Sequence, residues 1–145
     1  MADAFYVPDG DRFVPTELTR GPWSADAQHA GPPAALLGRA IEALEPVGEM
    51  TVARFSMEVL GPVPLRPLRV SAAVVRPGRR VQLVEAALVD DEDEIALAAA
   101  WRIRPADAPG GQVDLDPLPL PDPEESPKLP PWTPGWDPSY FTAVE

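Results

Sequence analysis

The side chains best suited to chemistry lie in one short stretch around the only histidine of the chain. Gln28 and His29 come just before Gly31, and two prolines follow. His29 could hydrogen-bond a substrate carbonyl or orient a water, and the Gln28 amide could do the same. Glycine permits close approach to the backbone, so the N–H of Gly31 or Ala30 could donate to a developing oxyanion. The stretch predicts acyl-transfer chemistry, with Gln28, His29 and Gly31 as catalytic candidates.

A structural interpretation of the same residues stays open. Gly31 would turn the chain into a helix, because the following Pro32 and Pro33 suit a first helical turn, where a missing N–H breaks no helical bond. In that case His29 and Gln28 only fasten the turn.

A second candidate group is basic. Arg76, Arg79 and Arg80 surround a predicted Pro-Gly turn in an otherwise acidic chain. Guanidinium groups bind phosphates through charge-assisted hydrogen bonds, so these arginines are predicted to bind the anionic end of a substrate. The alternative is an ordinary solvated hairpin turn.

Two groups of acidic residues are also considered. Glu85 is in phase with apolar neighbours of a predicted strand and is either a general base or a structural carboxylate paired with Arg54 or Arg102. The acidic run 90–94 is interpreted as a solvated turn.

Composition restricts the possible functions. The chain has 145 residues, no cysteine and one histidine, which argues against thiol catalysis, iron–sulfur clusters and a histidine-rich metal site. The net charge of −11 argues against nucleic acid as a partner. The sequence has neither an apolar run long enough to cross a membrane nor a signal-peptide pattern, so a soluble cytoplasmic protein without a membrane partner is expected.

The elements that must position these residues can be predicted from apolar spacing. Positions 36, 37, 40, 41 and 44 form one apolar stripe, which predicts a buried helix over 32–45. Strands are predicted at 50–60, 68–75, 81–89 and 95–103, with short turns between the last three that indicate an antiparallel meander. One or two short strands are expected before residue 27.

The C-terminal part differs from the rest. Residues 105–138 hold 11 of the 21 prolines and are interpreted as an acidic linker. Residues 139–145 are strand-like and are predicted to begin a second unit.

Several segments together resemble the N-terminal half of TesB-like acyl-CoA thioesterases. They are Arg20–Trp23, Gln28–Leu37, Val52–Phe55, Leu60–Leu65, Val75–Ala86 and Ala100–Arg104. The resemblance implies an α+β hotdog fold over residues 1–104, in which an antiparallel sheet wraps one long buried helix. It also implies hydrolysis of acyl-CoA thioesters, with coenzyme A as part of the substrate and no separate cofactor.

In this family two hotdog units pair edge to edge, and thioesters bind between them. The catalytic aspartate and the threonine and glutamine that position water belong to the second unit, so they have no counterparts in this sequence. Two hypotheses follow: a thioesterase unit that needs a second unit, or a non-catalytic scaffold or acyl-binding module. A hotdog dehydratase fits less well, because its histidine needs an acid across the interface. Because a lone unit leaves a sheet edge unpaired, a homodimer or pairing with a second hotdog unit is expected.

Overall fold

The computed structural model describes residues 4–46 and 48–106. One α-helix, one short 3-10 helix at Glu17–Thr19 and six strands follow one another along the described chain. Their bounds are β1 Tyr6–Asp9, β2 Arg12–Pro15, α1 Gly31–Ala43, β3 Thr51–Val59, β4 Leu68–Arg76, β5 Val81–Asp90 and β6 Asp93–Ile103. The predicted linker beyond residue 106 and the strand-like run 139–145 lie outside the described residues.

Helix α1 begins and ends close to the predicted positions. Two prolines occupy its first turn, and the helix ends at Ala43, three residues before Pro46. Its buried side chains in the middle and last turns are Leu36, Leu37 and Ile41, which recur at helical spacing. The predicted apolar stripe is therefore the face that packs on the sheet.

The six strands form one antiparallel sheet with the order β1-β2-β4-β5-β6-β3. Strands β4, β5 and β6 form the predicted meander, and β3 pairs with β6 at one edge. Helix α1 packs across β4, β5 and β6. One helix on one face of an antiparallel sheet confirms the predicted hotdog fold.

The core lies between the helix and the even-numbered residues of β5 and β6. Three alanines of β6, at positions 96, 98 and 100, face the helix and are buried. Their small side chains let the helix approach the sheet closely. On β5 the helix-facing residues include Val84, Ala86 and Leu88.

Among the described residues, no helix is both long enough and apolar enough to span a membrane.

Candidate functional site

A loop closed by backbone hydrogen bonds holds the predicted catalytic residues at the start of α1. The Gly21 N–H donates to the Ala27 carbonyl at 2.9 Å, and the His29 N–H donates to the Thr19 carbonyl at 2.8 Å. A Cβ at Gly21 would lie 2.9 Å from the His29 nitrogen, so only glycine lets these two backbone segments come so close. The loop therefore holds His29 in one position relative to the helix.

Gln28 is buried and both ends of its amide are engaged. Its Oε1 accepts from the Tyr6 hydroxyl at 2.6 Å, and its Nε2 donates to the Pro64 carbonyl at 2.7 Å. Burial raises the pKa of the Tyr6 phenol, so the hydroxyl keeps its proton and remains a donor. Gln28 thus joins β1 and the segment before β4 to the helix start.

His29 is fixed through both its ring face and its Nδ1 atom. The Gly31 N–H donates to His29 Nδ1 at 3.1 Å. The ring stacks on Trp23, with centroids 5.5 Å apart and planes 12° apart. Partial burial lowers the pKa of His29, which favours the neutral ring at pH 7. Because Nδ1 accepts a hydrogen bond, the ring proton is assigned to Nε2.

Among the described backbone N–H groups that the sequence suggested as oxyanion donors, one is available to a ligand. The Gly31 N–H is engaged by His29, and Pro32 and Pro33 have no N–H. The first intrahelical bond runs from the Ala34 N–H to the Ala30 carbonyl at 3.1 Å. In the part of the chain that the structure describes, the Ala30 N–H has no acceptor. Of the two predicted oxyanion donors, Ala30 is therefore the one not already used.

The three predicted phosphate-binding arginines lie together at the β4–β5 turn. Arg76, Arg79 and Arg80 line an open cavity of about 630 Å³. Arg104 lines it as well, because its backbone N–H donates to the Arg80 carbonyl at 2.9 Å. Sequence analysis missed Arg104 because it follows β6, more than twenty positions along the chain. Among the described residues no carboxylate lies within ion-pair distance of these four arginines.

The helix start and the arginine cavity lie at opposite ends of the fold. Gln28 contacts the segment just before β4, whereas Arg76 is the last residue of β4. At the far end of α1, Arg102 donates to the Leu44 carbonyl at 3.0 Å, two positions before Arg104. Because α1 has 13 residues, the two regions are separated by about 20 Å.

The acidic residues do not all lie where the sequence suggested. Asp90 is buried and forms a two-point ion pair with Arg66, so it is not part of a solvated turn. Glu85 is exposed on the face of the sheet opposite the helix. Its suggested partner Arg102 instead caps the helix end, and no ion pair involves Glu85 within the described ranges.

Comparisons with known proteins place these features in context. Residues 19–103 match the family model described as the acyl-CoA thioesterase N-terminal domain. No curated protein matches the sequence.

Among the solved structures that share the fold are the following three. A hot dog fold protein of unknown function from Alicyclobacillus acidocaldarius matches 97% of this chain and 51% of its own, with 18% identity and a TM-score of 0.69. This chain thus spans about half the length of that protein. A phenylacetic acid degradation-related protein from Ralstonia eutropha matches 64% of this chain and 73% of its own, with 23% identity and a TM-score of 0.56. A Bacillus halodurans protein solved with CoA matches 63% of this chain and 64% of its own, with 20% identity and a TM-score of 0.54.

Proposed function

Because this chain belongs to the acyl-CoA thioesterase N-terminal domain family, we propose that it binds acyl-CoA thioesters and forms one half of a hydrolytic site. The observation that carries the proposal is the arrangement of His29 at the helix start. His29 Nδ1 accepts the Gly31 N–H, which leaves the ring proton on Nε2.

In this proposal the thioester carbonyl is polarised by two donors. The Ala30 N–H lies at the positive end of the helix dipole. His29 donates through Nε2, and its neutral ring does so without a change of charge. Attack by water turns the carbonyl oxygen into an oxyanion, which these donors stabilise as the charge develops.

The arginine cavity would hold the anionic end of the same substrate. Arg76, Arg79, Arg80 and Arg104 present four cations without a carboxylate partner in the described chain. Acyl-CoA carries its phosphates far from its thioester, which is consistent with a basic cavity about 20 Å from His29. The CoA bound to the Bacillus halodurans protein supports a CoA ligand for this fold.

Attack on the thioester also needs a group that holds the water. Gln28 is already bonded at both ends of its amide, so within this chain it is poorly placed for that task. We propose that a carboxylate of a second hotdog unit supplies it. Hydrolysis would then require the paired form, whereas this chain alone would bind the thioester.

The experiment has a binding arm and a turnover arm. Calorimetry of this chain with CoA and acyl-CoA should show binding that weakens when Arg79 and Arg80 are both replaced by alanine, and that weakens further in salt. Release of free CoA should be observed from acyl-CoA of some chain length once a second hotdog unit is present. No turnover by any form that contains both units would overturn hydrolysis.

A non-catalytic acyl-binding unit is the second candidate. The burial of Gln28 and the partners at both ends of its amide favour it, because that side chain is then poorly placed to position a water. Acyl-CoA binding without turnover in the paired form would support it, whereas turnover that is lost in His29→Ala would exclude it.

A further inference from the structure

A groove separates the N-terminal hairpin from helix α1. It has a volume of about 230 Å³ and is lined by Tyr6, Pro8 and Phe13 from the hairpin and by Ala35, Leu36 and Arg39 from the helix. The Tyr6 hydroxyl is directed to Gln28, and the Arg39 guanidinium lies over the Phe13 ring at 5.6 Å. The two polar groups of the lining therefore have partners, and the groove offers an apolar surface to a ligand.

The groove lies next to the proposed carbonyl site. Ala35 lies one helical turn after Gly31 on the same side of α1, about 6 Å away. Tyr6 forms one wall of the groove and holds Gln28, the residue before His29. A thioester whose carbonyl meets Ala30 and His29 would thus have the groove about one helical turn from its acyl carbon.

We propose that this groove binds the acyl chain of the thioester, an inference that rests on the proposed function. Its volume holds roughly seven water-sized groups at about 30 Å³ each, which corresponds to a chain of about six to eight carbons. Arg39, whose guanidinium lies over the Phe13 ring, lines the groove two helical turns from Gly31, about 12 Å along the axis. Length and volume therefore agree on a medium-length chain.

Ala35 is the residue that keeps the groove open. Its side chain is exposed, so leucine at this position would enter the groove without disturbing the core. Leucine is also a good helix former. Ala43 is exposed on the last turn of the same helix and does not line the groove, which makes Ala43→Leu the matched control.

The test is calorimetry of the 145-residue chain with CoA, acetyl-CoA, hexanoyl-CoA, octanoyl-CoA and dodecanoyl-CoA. For the parent protein, affinity should rise roughly threefold to fourfold per added methylene up to about eight carbons and then level off. In Ala35→Leu, the ratio of the affinity for octanoyl-CoA to that for acetyl-CoA should fall at least about tenfold. In Ala43→Leu, this ratio should equal that of the parent. Free CoA, which has no acyl chain, is the reference ligand for each variant.

A second variant opens the groove instead of filling it. Arg39→Ala shortens a lining side chain at an exposed position far from Gly31, so the affinity plateau should move from octanoyl-CoA towards dodecanoyl-CoA. An unchanged chain-length profile in both Ala35→Leu and Arg39→Ala would overturn the groove as the acyl site. The groove would equally be excluded if Ala35→Leu changed the sedimentation of the chain but not its acyl preference, because the groove would then be a protein contact. Absence of CoA binding by the parent would overturn the proposed function itself.

Discussion

His29 is held as a hydrogen-bond donor. A histidine that accepts a proton through Nε2 needs its existing proton on Nδ1, but here Nδ1 accepts the Gly31 N–H. The stacked Trp23 and the loop closed by backbone hydrogen bonds keep the ring in this orientation. Of the two tasks that the sequence suggested for His29, the geometry favours hydrogen bonding to a carbonyl.

The state of this ring can be measured directly because the chain has one histidine. Long-range ¹H–¹⁵N correlation spectra should show the proton on Nε2 at pH 7. The titration midpoint should lie below the usual value of about 6.5, because burial disfavours the charged ring. Trp23→Ala should raise it towards 6.5 by exposing the ring.

The same shift makes a prediction for stability. Below pH 6.5 the unfolded chain binds a proton on His29 more readily than the folded chain does, so the free energy of unfolding should fall as the pH drops from about 6.5 through the lower folded pKa. His29→Gln should lack this component. A Nδ1–H tautomer, or a midpoint above 6.5, would contradict the assignment.

The role of the Ala30 N–H can be isolated by removing that one proton. Ala30 has a φ of −67°, which is compatible with proline, so Ala30→Pro deletes the donor and keeps the φ of this residue. If this N–H stabilises the oxyanion, kcat of the paired form should fall about 10²-fold or more. Ala30→Gly keeps the N–H and is the control. Equal kcat values for the two variants would exclude the Ala30 N–H as a catalytic donor.

At the scale of single residues, the sequence predicted where the chemistry-bearing side chains lie but not what each one contacts. Gln28 illustrates the difference. Its partners, Tyr6 and Pro64, are 22 and 36 positions away, and no local pattern indicates such pairing. His29 contacts Gly31 two positions away, but its backbone N–H also donates to the Thr19 carbonyl ten positions earlier, which no local pattern indicates.

At the scale of elements, apolar periodicity located α1 and the strands within a few residues but did not identify the core face of β5 and β6. Both faces of these strands are largely apolar. Leu83 and Trp101 lie on the face opposite the helix, whereas Gln82 and Arg102 lie on the helix side. Arg102 is tolerated there because it donates to a carbonyl at the C-terminal end of α1, which favours positive charge.

The β5–β6 turn is fastened to the segment before β4 by the Asp90–Arg66 ion pair. Hydrogen bonding and the charge of Arg66 hold the pKa of Asp90 below its usual value. Asp90→Asn should lower the free energy of unfolding at pH 7, by a modest amount because solvent screens the charge of Arg66, which is 60% exposed.

The pH dependence of the stability lost in Asp90→Asn shows whether the loss comes from the ion pair or from altered packing. A carboxylate with a lowered folded pKa contributes its full stabilisation above the unfolded pKa of about 4, and the contribution disappears as the pH falls through the folded value. Urea unfolding curves of the parent and Asp90→Asn should therefore converge in acid. Asp93 lies next to the same turn and takes part in none of the described ion pairs. The free energy of unfolding of Asp93→Asn should therefore equal that of the parent at every pH. A difference that persists at pH 2 would assign the effect to packing.

At the scale of the whole molecule, the sheet has an unpaired edge at β3. Strand β3 pairs only with β6 among the described strands. Three apolar side chains are exposed on this strand or just after it, namely Phe55 at 37%, Val59 at 48% and Leu60 at 56% of their full surface. An exposed strand with apolar side chains is a template for pairing with another chain. The predicted association of hotdog units therefore has a specific candidate surface.

This surface leads to a prediction about assembly. Two β3 strands paired antiparallel would join two sheets into one and cover Phe55 on both copies, so the chain should sediment as a dimer at micromolar concentration. Phe55→Glu places a charge in that interface and should weaken dimerisation at least tenfold, which corresponds to about 1.4 kcal/mol. Val75→Glu changes a side chain of similar exposure on β4, on the other side of the sheet from β3, and should leave a dimer paired through β3 intact. A monomeric parent would contradict the predicted dimer. If Val75→Glu dissociates the dimer while Phe55→Glu does not, pairing through β3 is wrong and the contact surface includes Val75 instead.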